Sequence, residues 1–143
     1  MRILVLNGPN LNMLGKREPA IYGSASLADV EAALRKEAAT LGCEVVCFQS
    51  NHEGGLIDWI HEHDGQVDGA IINPGGLVHS SVPLHDAIKS VSYPIVEVHI
   101  SNIHAREPWR SHTRTTSAAR GCILGLGTRG YLLALHWLVE ELT

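Results

Sequence analysis

Glu97 and His99 stand two residues apart in the apolar run Ile95–Ile100. In an extended strand their side chains leave one face while Val96, Val98 and Ile100 leave the other. A carboxylate beside an imidazole orients the ring and favours its protonated form, which suits a general acid near neutral pH. An ordinary half-buried ion pair would carry the same signature. Arg17 and Tyr22 form a second pair, inside the long stretch LNGPNLNMLGKREPAIYG from Leu6 to Gly23. A tyrosine, with an ordinary pKa of about 10, is a poor base at neutral pH unless a nearby cation favours its phenolate. A loop carrying both residues could close over a substrate and exclude water; the alternative is that Tyr22 packs its ring and Arg17 is solvated. A third group is Asn73-Pro74-Gly75-Gly76-Leu77-Val78-His79-Ser80-Ser81. Its glycines let backbone approach a ligand, Asn73 and His79 supply donors and acceptors, and Ser80 or Ser81 suits a helix cap. A pocket of Asn, His, Ser and Arg groups fits a polyhydroxylated acid better than an apolar ligand.

Other chemical patterns carry less. Gly125-Leu126-Gly127-Thr128-Arg129-Gly130 matches G-x-G-x-x-G, but a dinucleotide fingerprint opens a strand–helix–strand unit with an acidic residue about 20 positions on, and the sequence ends at Thr143. Tight helix–sheet packing explains these glycines better. Nine histidines raise the question of a metal. Yet His61 and His63 do not share a helix face, and His52-Glu53 lacks a second histidine, so no catalytic metal is expected. There is no G-x-S-x-G elbow and no P-loop.

The elements that must position these residues follow from changes of period. Five short apolar runs read as strands: Ile3–Leu6, Glu44–Phe48, Gly69–Ile72, Ile95–Ile100 and Cys122–Leu126. Between them, Ser26–Leu41 keeps Leu27, Val30, Leu34, Ala38 and Leu41 at helical spacing. Ser26 and Asp29 form a capping-box pattern at its start and Gly42 a left-handed stop. Glu53–His63, Ser80–Ser90 and Thr128–Leu142 read as three further helices. Strand and helix alternate, so the expected fold class is α/β: a flavodoxin-like, doubly wound, five-stranded parallel sheet in the order 2-1-3-4-5 with helices on both faces. Ligands of such sheets sit at the carboxyl ends of the strands near the switch point, where the long Gly8–Ala25 connection emerges. Ordinary strand–helix connections take about two to six residues, which marks this one as functional.

One domain over residues 1–143 accommodates the chain. A net charge of −4 without a basic run gives no footprint for nucleic acid, and no apolar stretch is long enough to span a membrane. Cys43, Cys47 and Cys122 lack C-x-x-C spacing, and Cys43 and Cys47 read as inward-facing residues of one strand. With the short apolar start at Ile3–Leu6, a reduced, cytoplasmic protein is expected.

Taken in order, LNGPNLNMLGKREPAIYG, QSNHEGGLIDWIH, IINPGG with His79, VEVHISNIHAREPWR and GLGTRGY closely resemble type II 3-dehydroquinate dehydratase, from Arg2 almost to the end of the sequence. The resemblance implies loss of water from 3-dehydroquinate to give 3-dehydroshikimate, by anti elimination through an enolate, with neither cofactor nor metal. It implies that Tyr22 is the base, that Arg17 holds it as phenolate, and that Asn12 holds the water stabilising the enolate oxygen. His99 would protonate the departing hydroxyl, oriented by Glu97. Ile100 and Ser101 would bind the substrate carboxylate, Asn73, His79 and Arg110 the ring hydroxyls, and Asp86 would reach in from a neighbouring subunit. The family's trimers, four of which make a homododecamer, are implied with it. The sequence departs from the family's more usual Ala-Tyr-Thr at Gly76-Leu77-Val78 and from its His-Ser-Tyr-x-Ser pattern at Ser111–Ser117. Other readings are the same reaction in quinate breakdown, a non-catalytic flavodoxin-like module holding a nucleotide or flavin, and a metal-dependent hydrolase.

Overall fold

A computed structural model describes residues 1–143. Five strands, β1 (Arg2–Asn7), β2 (Glu44–Gln49), β3 (Gly69–Asn73), β4 (Ile95–His99) and β5 (Gly121–Leu124), form one sheet in the order β2-β1-β3-β4-β5. Every pairing is parallel. The helices are α1 (Pro19–Tyr22), α2 (Leu27–Leu41), α3 (Glu53–Glu62), α4 (Leu77–Ser80), α5 (Val82–Ser90) and α6 (Arg129–Leu142). The doubly wound α/β architecture read from the sequence is the one observed.

Alternation along the strands builds two cores. Ile3, Val5, Ile71, Val96 and Val98 pack on one face against Val30, Leu34 and Ala38 of α2 and Ala134, Leu135 and Leu138 of α6. Leu4, Leu6, Ala70, Ile72 and Ile95 face the other way, against Leu56 and Ile60 of α3 and Leu84, Ala87 and Ile88 of α5. A strand covered on both faces must be apolar in both registers, which explains why β1 and β3 are unbroken apolar runs. Gly130 lets α6 approach closely, since a Cβ there would lie 3.3 Å from Val98 and 3.4 Å from Ile123. This is the packing role read for the last glycine of the G-x-G-x-x-G run.

Local signals set the helix ends. Asp29 N–H donates to the Ser26 hydroxyl at 3.1 Å and Ser26 N–H donates to the Asp29 carboxylate at 3.0 Å, closing the capping box. Gly42 ends α2 at φ 73°. The helix expected over Ser80–Ser90 is α5, which begins at Val82, because Ser81 is extended (φ −99°, ψ 101°) and its hydroxyl caps α5 by accepting from Leu84 N–H at 2.9 Å; the short α4 ends just before it. The fifth strand stops at Leu124 rather than Leu126, where Gly125 turns to φ 82°. Cys43 precedes β2 instead of lying within it, although Cys43 and Cys47 both pack against the α2/α6 core.

Candidate active site

The site forms where β1 and β3 end side by side, with Asn7 opposite Asn73. Their exit loops meet so tightly that side chains are excluded. A Cβ on Gly8 would lie 2.5 Å from the Pro74 carbonyl oxygen, and one on Gly75 (φ 58°) 2.8 Å from that of Pro9. The Gly8–Ala25 connection is not featureless: a 3-10 turn at Leu11–Met13 and the short α1 fold it over a cavity of about 290 Å³. Arg17 and Tyr22 line that cavity from the connection, Asn73 and His79 from the β3 exit, and His99, Ile100, Ser101 and Arg110 from the end of β4 and beyond.

Glu97 and His99 share a face as their spacing required. Both are buried, and His99 Nε2 lies 2.8 Å from Glu97 Oε1. The Thr115 hydroxyl donates to the second carboxylate oxygen at 2.7 Å, and the Thr116 hydroxyl to the first at 2.6 Å. Burial pushes the Glu97 carboxyl up, but the His99 hydrogen bond and charge and the two threonines outweigh it and hold the group below its ordinary value of 4.5. With Nε2 tied to the carboxylate, Nδ1 is the nitrogen that His99 retains for chemistry in the cavity it lines. Glu97, His99 and Cys122 also place potential ligand atoms within 4.8 Å of one another, the donor types a divalent cation such as zinc accepts. The carboxylate oxygens already accept from His99, both threonines and the Cys122 thiol, and burial with the Glu97 charge pushes that thiol up to about 12, so the cluster is better suited to holding a proton than a cation.

Tyr22 faces two guanidinium groups. Arg106 Nη1 donates to the phenol oxygen at 2.7 Å, and the Arg17 guanidinium carbon sits 5.0 Å from the ring centroid. Arg106 also reaches the Ser101 hydroxyl at 3.4 Å. Positive charge is thus gathered where a phenoxide would carry its negative charge. Arg106 lies in the VEVHISNIHAREPWR motif, but it is 84 positions from Tyr22, and no local pattern in the sequence pairs the two.

The remaining residues are placed unequally. Ile100 packs in the α2/α6 core and also lines the cavity, next to Ser101. His79 Nδ1 is 2.7 Å from the His112 carbonyl and its ring meets Trp109 edge-on at 5.5 Å. Arg110 pairs with Glu107 and stacks on Trp109, its guanidinium carbon 4.2 Å from the ring. Asn12 is exposed and lies outside the cavity; Asn10, held in the left-handed region at φ 70°, lines it instead. Asp86 is exposed on α5, beside His85 at 3.1 Å and away from the cavity of its own chain.

The fold and the site together define a doubly wound α/β protein in which a carboxylate-held histidine and an arginine-held tyrosine open onto one polar cavity. Comparison with known proteins agrees. The family model described as dehydroquinase class II matches residues 1–139. The 3-dehydroquinate dehydratase 2 of Ralstonia nicotianae is 58% identical over 142 residues, which span 96% of this chain and 92% of the relative. The catabolic 3-dehydroquinase 1 of Neosartorya fischeri is 54% identical over 134 residues, spanning 94% and 89%. The crystal structure of type II dehydroquinase from Butyrivibrio crossotus matches with a TM-score of 0.95 at 44% identity, covering 96% of this chain and 97% of that one. The chain belongs to the class II dehydroquinase family, and it is a hydro-lyase.

Proposed function

We propose that the chain removes water from 3-dehydroquinate by anti elimination, giving 3-dehydroshikimate through an enolate. The observation that carries this reading is the Tyr22 phenol held by Arg106 in the same cavity as the Glu97–His99 pair. A carbon acid next to a ketone needs a base whose charge is stabilised, and a hydroxide leaving group needs an acid. Tyr22 takes the proton beside the ketone, and the electron pair moves into the enolate. Arg17 and Arg106 stabilise the negative charge on the phenol oxygen. His99, oriented by Glu97, gives its proton to the departing hydroxyl, which leaves as water. No electron transfer is involved, so the reaction needs no redox cofactor, and Arg17 and Arg106 supply the positive charge that a Lewis-acidic metal would otherwise provide.

For the rest of the substrate, the backbone at Ile100 and the hydroxyl of Ser101 bind the carboxylate. Asn73, His79 and Arg110 bind the ring hydroxyls. Asn10 takes the role first assigned to Asn12, holding water near the enolate oxygen, because it is the asparagine that lines the cavity. Asp86 completes the site of a neighbouring subunit in a trimer, four of which assemble as a dodecamer; its exposure and its distance from its own cavity support that reading. The proposed setting is the cytoplasmic shikimate pathway to aromatic amino acids, and no helix is long and apolar enough to cross a membrane. Breakdown of quinate is the second reading, since a relative named as catabolic is nearly as similar as one that is not.

Incubation of purified protein with 3-dehydroquinate tests the reaction, read as growth of the conjugated enone absorbance. Induction of the transcript by quinate would favour the catabolic setting, and constitutive expression the biosynthetic one.

A further inference from the structure

Tyr131 is fully buried on α6, and nothing in the proposed chemistry uses its hydroxyl. That hydroxyl bridges the ends of the two strands that meet at the switch point. The Asn73 side-chain amide donates to it at 2.9 Å, and it donates to Asn7 Oδ1 at 2.6 Å. Asn73 Oδ1 in turn accepts from Gly75 N–H at 3.1 Å.

The directions in this chain are forced. Gly75 can only donate, so the Asn73 atom facing it is oxygen and the amide nitrogen faces Tyr131. The Tyr131 oxygen therefore accepts from Asn73, and its single proton goes to Asn7. Burial pushes the Tyr131 phenol up, so the proton stays in place at any ordinary pH. The Asn73 amide nitrogen carries two hydrogens, one spent on Tyr131. Asn73 lines the cavity, and its second N–H remains free for a ligand.

We infer that Tyr131 is a positioning residue for substrate recognition: it holds the Asn73 amide in one orientation, with a donor N–H left for the ligand. The ligand atom opposite must be an acceptor, a ring hydroxyl oxygen rather than its proton. Asn7 is the anchor of the chain: its Oδ1 accepts from Tyr131, and its Nδ2 is buried with no partner. This inference rests on the reading of Asn73 as a substrate-binding residue.

A double-mutant cycle on Tyr131→Phe and Asn73→Ala, read as kcat and KM separately, tests it. Tyr131→Phe is expected to raise KM about five- to fifteen-fold, the size of one oriented hydrogen bond, with kcat changed less than about three-fold. In the Asn73→Ala background the same substitution should leave KM unchanged, because no amide remains to be held. KM effects that multiply in the double variant, or a fall in melting temperature with KM unmoved, would overturn the inference. If Tyr131→Phe does not fold, Asn7→Ala breaks the chain from its other end and the cycle is run with that variant. Wild-type protein without turnover would overturn the proposed reaction together with this inference. Normal turnover with independent KM effects would overturn the inference alone.

Discussion

Arg106 donates a 2.7 Å hydrogen bond to the phenol oxygen of Tyr22, a residue 84 positions earlier in the chain. This contact joins the connection after β1 to the segment after β4, so the tyrosine and the guanidinium that holds it come from separate parts of the chain. Replacing Arg106 by Lys keeps a charge but loses the fixed, planar set of donors. Arg106→Lys should lower kcat about ten- to hundred-fold with the fold intact, measured by steady-state kinetics beside circular dichroism. An unchanged kcat would separate Arg106 from the chemistry.

Stability at low pH should depend on Glu97. Its carboxyl titrates below 4.5 in the folded chain, so it contributes stability that is complete above about pH 4.5 and lost as pH falls through the lower folded value. Urea midpoints of wild type and Glu97→Gln between pH 7 and pH 3 check this. Wild type should lose the larger share of its stability below pH 4.5. Asp29, Asp64 and Glu107 also titrate low, but they are common to both proteins and cancel in the difference.

Thr115→Val deletes a buried hydroxyl that donates to Glu97 at 2.7 Å, while keeping the shape. The carboxylate oxygen is left unsatisfied, at a cost of roughly 1–3 kcal/mol in unfolding free energy. Turnover should fall with it, because His99 is oriented by the same carboxylate. Denaturant titration and kcat on one preparation would show whether the two losses travel together.

Gly8→Ala asks whether the meeting of the two exit loops is required. The added Cβ would sit 2.5 Å from the Pro74 carbonyl, and both partners are backbone, so the strand ends must part. A loss of about 1–3 kcal/mol or more is expected, with KM raised because Asn73 and His79 move with the β3 exit. Calorimetry and substrate titration read the two effects.

Asp86 acts across a subunit boundary in the proposed site, which predicts complementation. Co-expressed Asp86→Ala and Tyr22→Phe chains should show turnover that neither variant has alone at the same substrate concentration, since mixed oligomers contain some sites with both residues intact. Activity no greater than that of the two variants measured separately would keep Asp86 out of the neighbouring site.

Much of this arrangement could be read from local pattern. Period-2 spacing put Glu97 and His99 on one face, and the alternation of apolar runs with helical stretches produced a 2-1-3-4-5 sheet. The capping box of Ser26 and Asp29 needs only four residues to be recognised. What escaped notice depends on chain segments that only the fold brings together. Arg106 meets Tyr22 across 84 positions, Thr115 meets Glu97 across 18, and Tyr131 meets Asn7 across 124. Asn10 and Asn12 are equivalent by type; only the folded loop, with Asn10 in a left-handed turn, puts Asn10 and not Asn12 on the cavity wall. The break at Ser81 was hidden because Val82-Pro83 can begin a helix as easily as lie within the first turn of a longer one.

The central claim is that Tyr22 is the base of a metal-independent dehydration. The direct measurement is enone absorbance against time after 3-dehydroquinate is added to chelator-treated protein, wild type beside Tyr22→Phe. Wild type should produce the signal at its untreated rate, and Tyr22→Phe should be slower by about a hundred- to ten-thousand-fold with an unchanged circular dichroism spectrum. Turnover by Tyr22→Phe at the wild-type rate, or none by chelated wild type, would contradict the account.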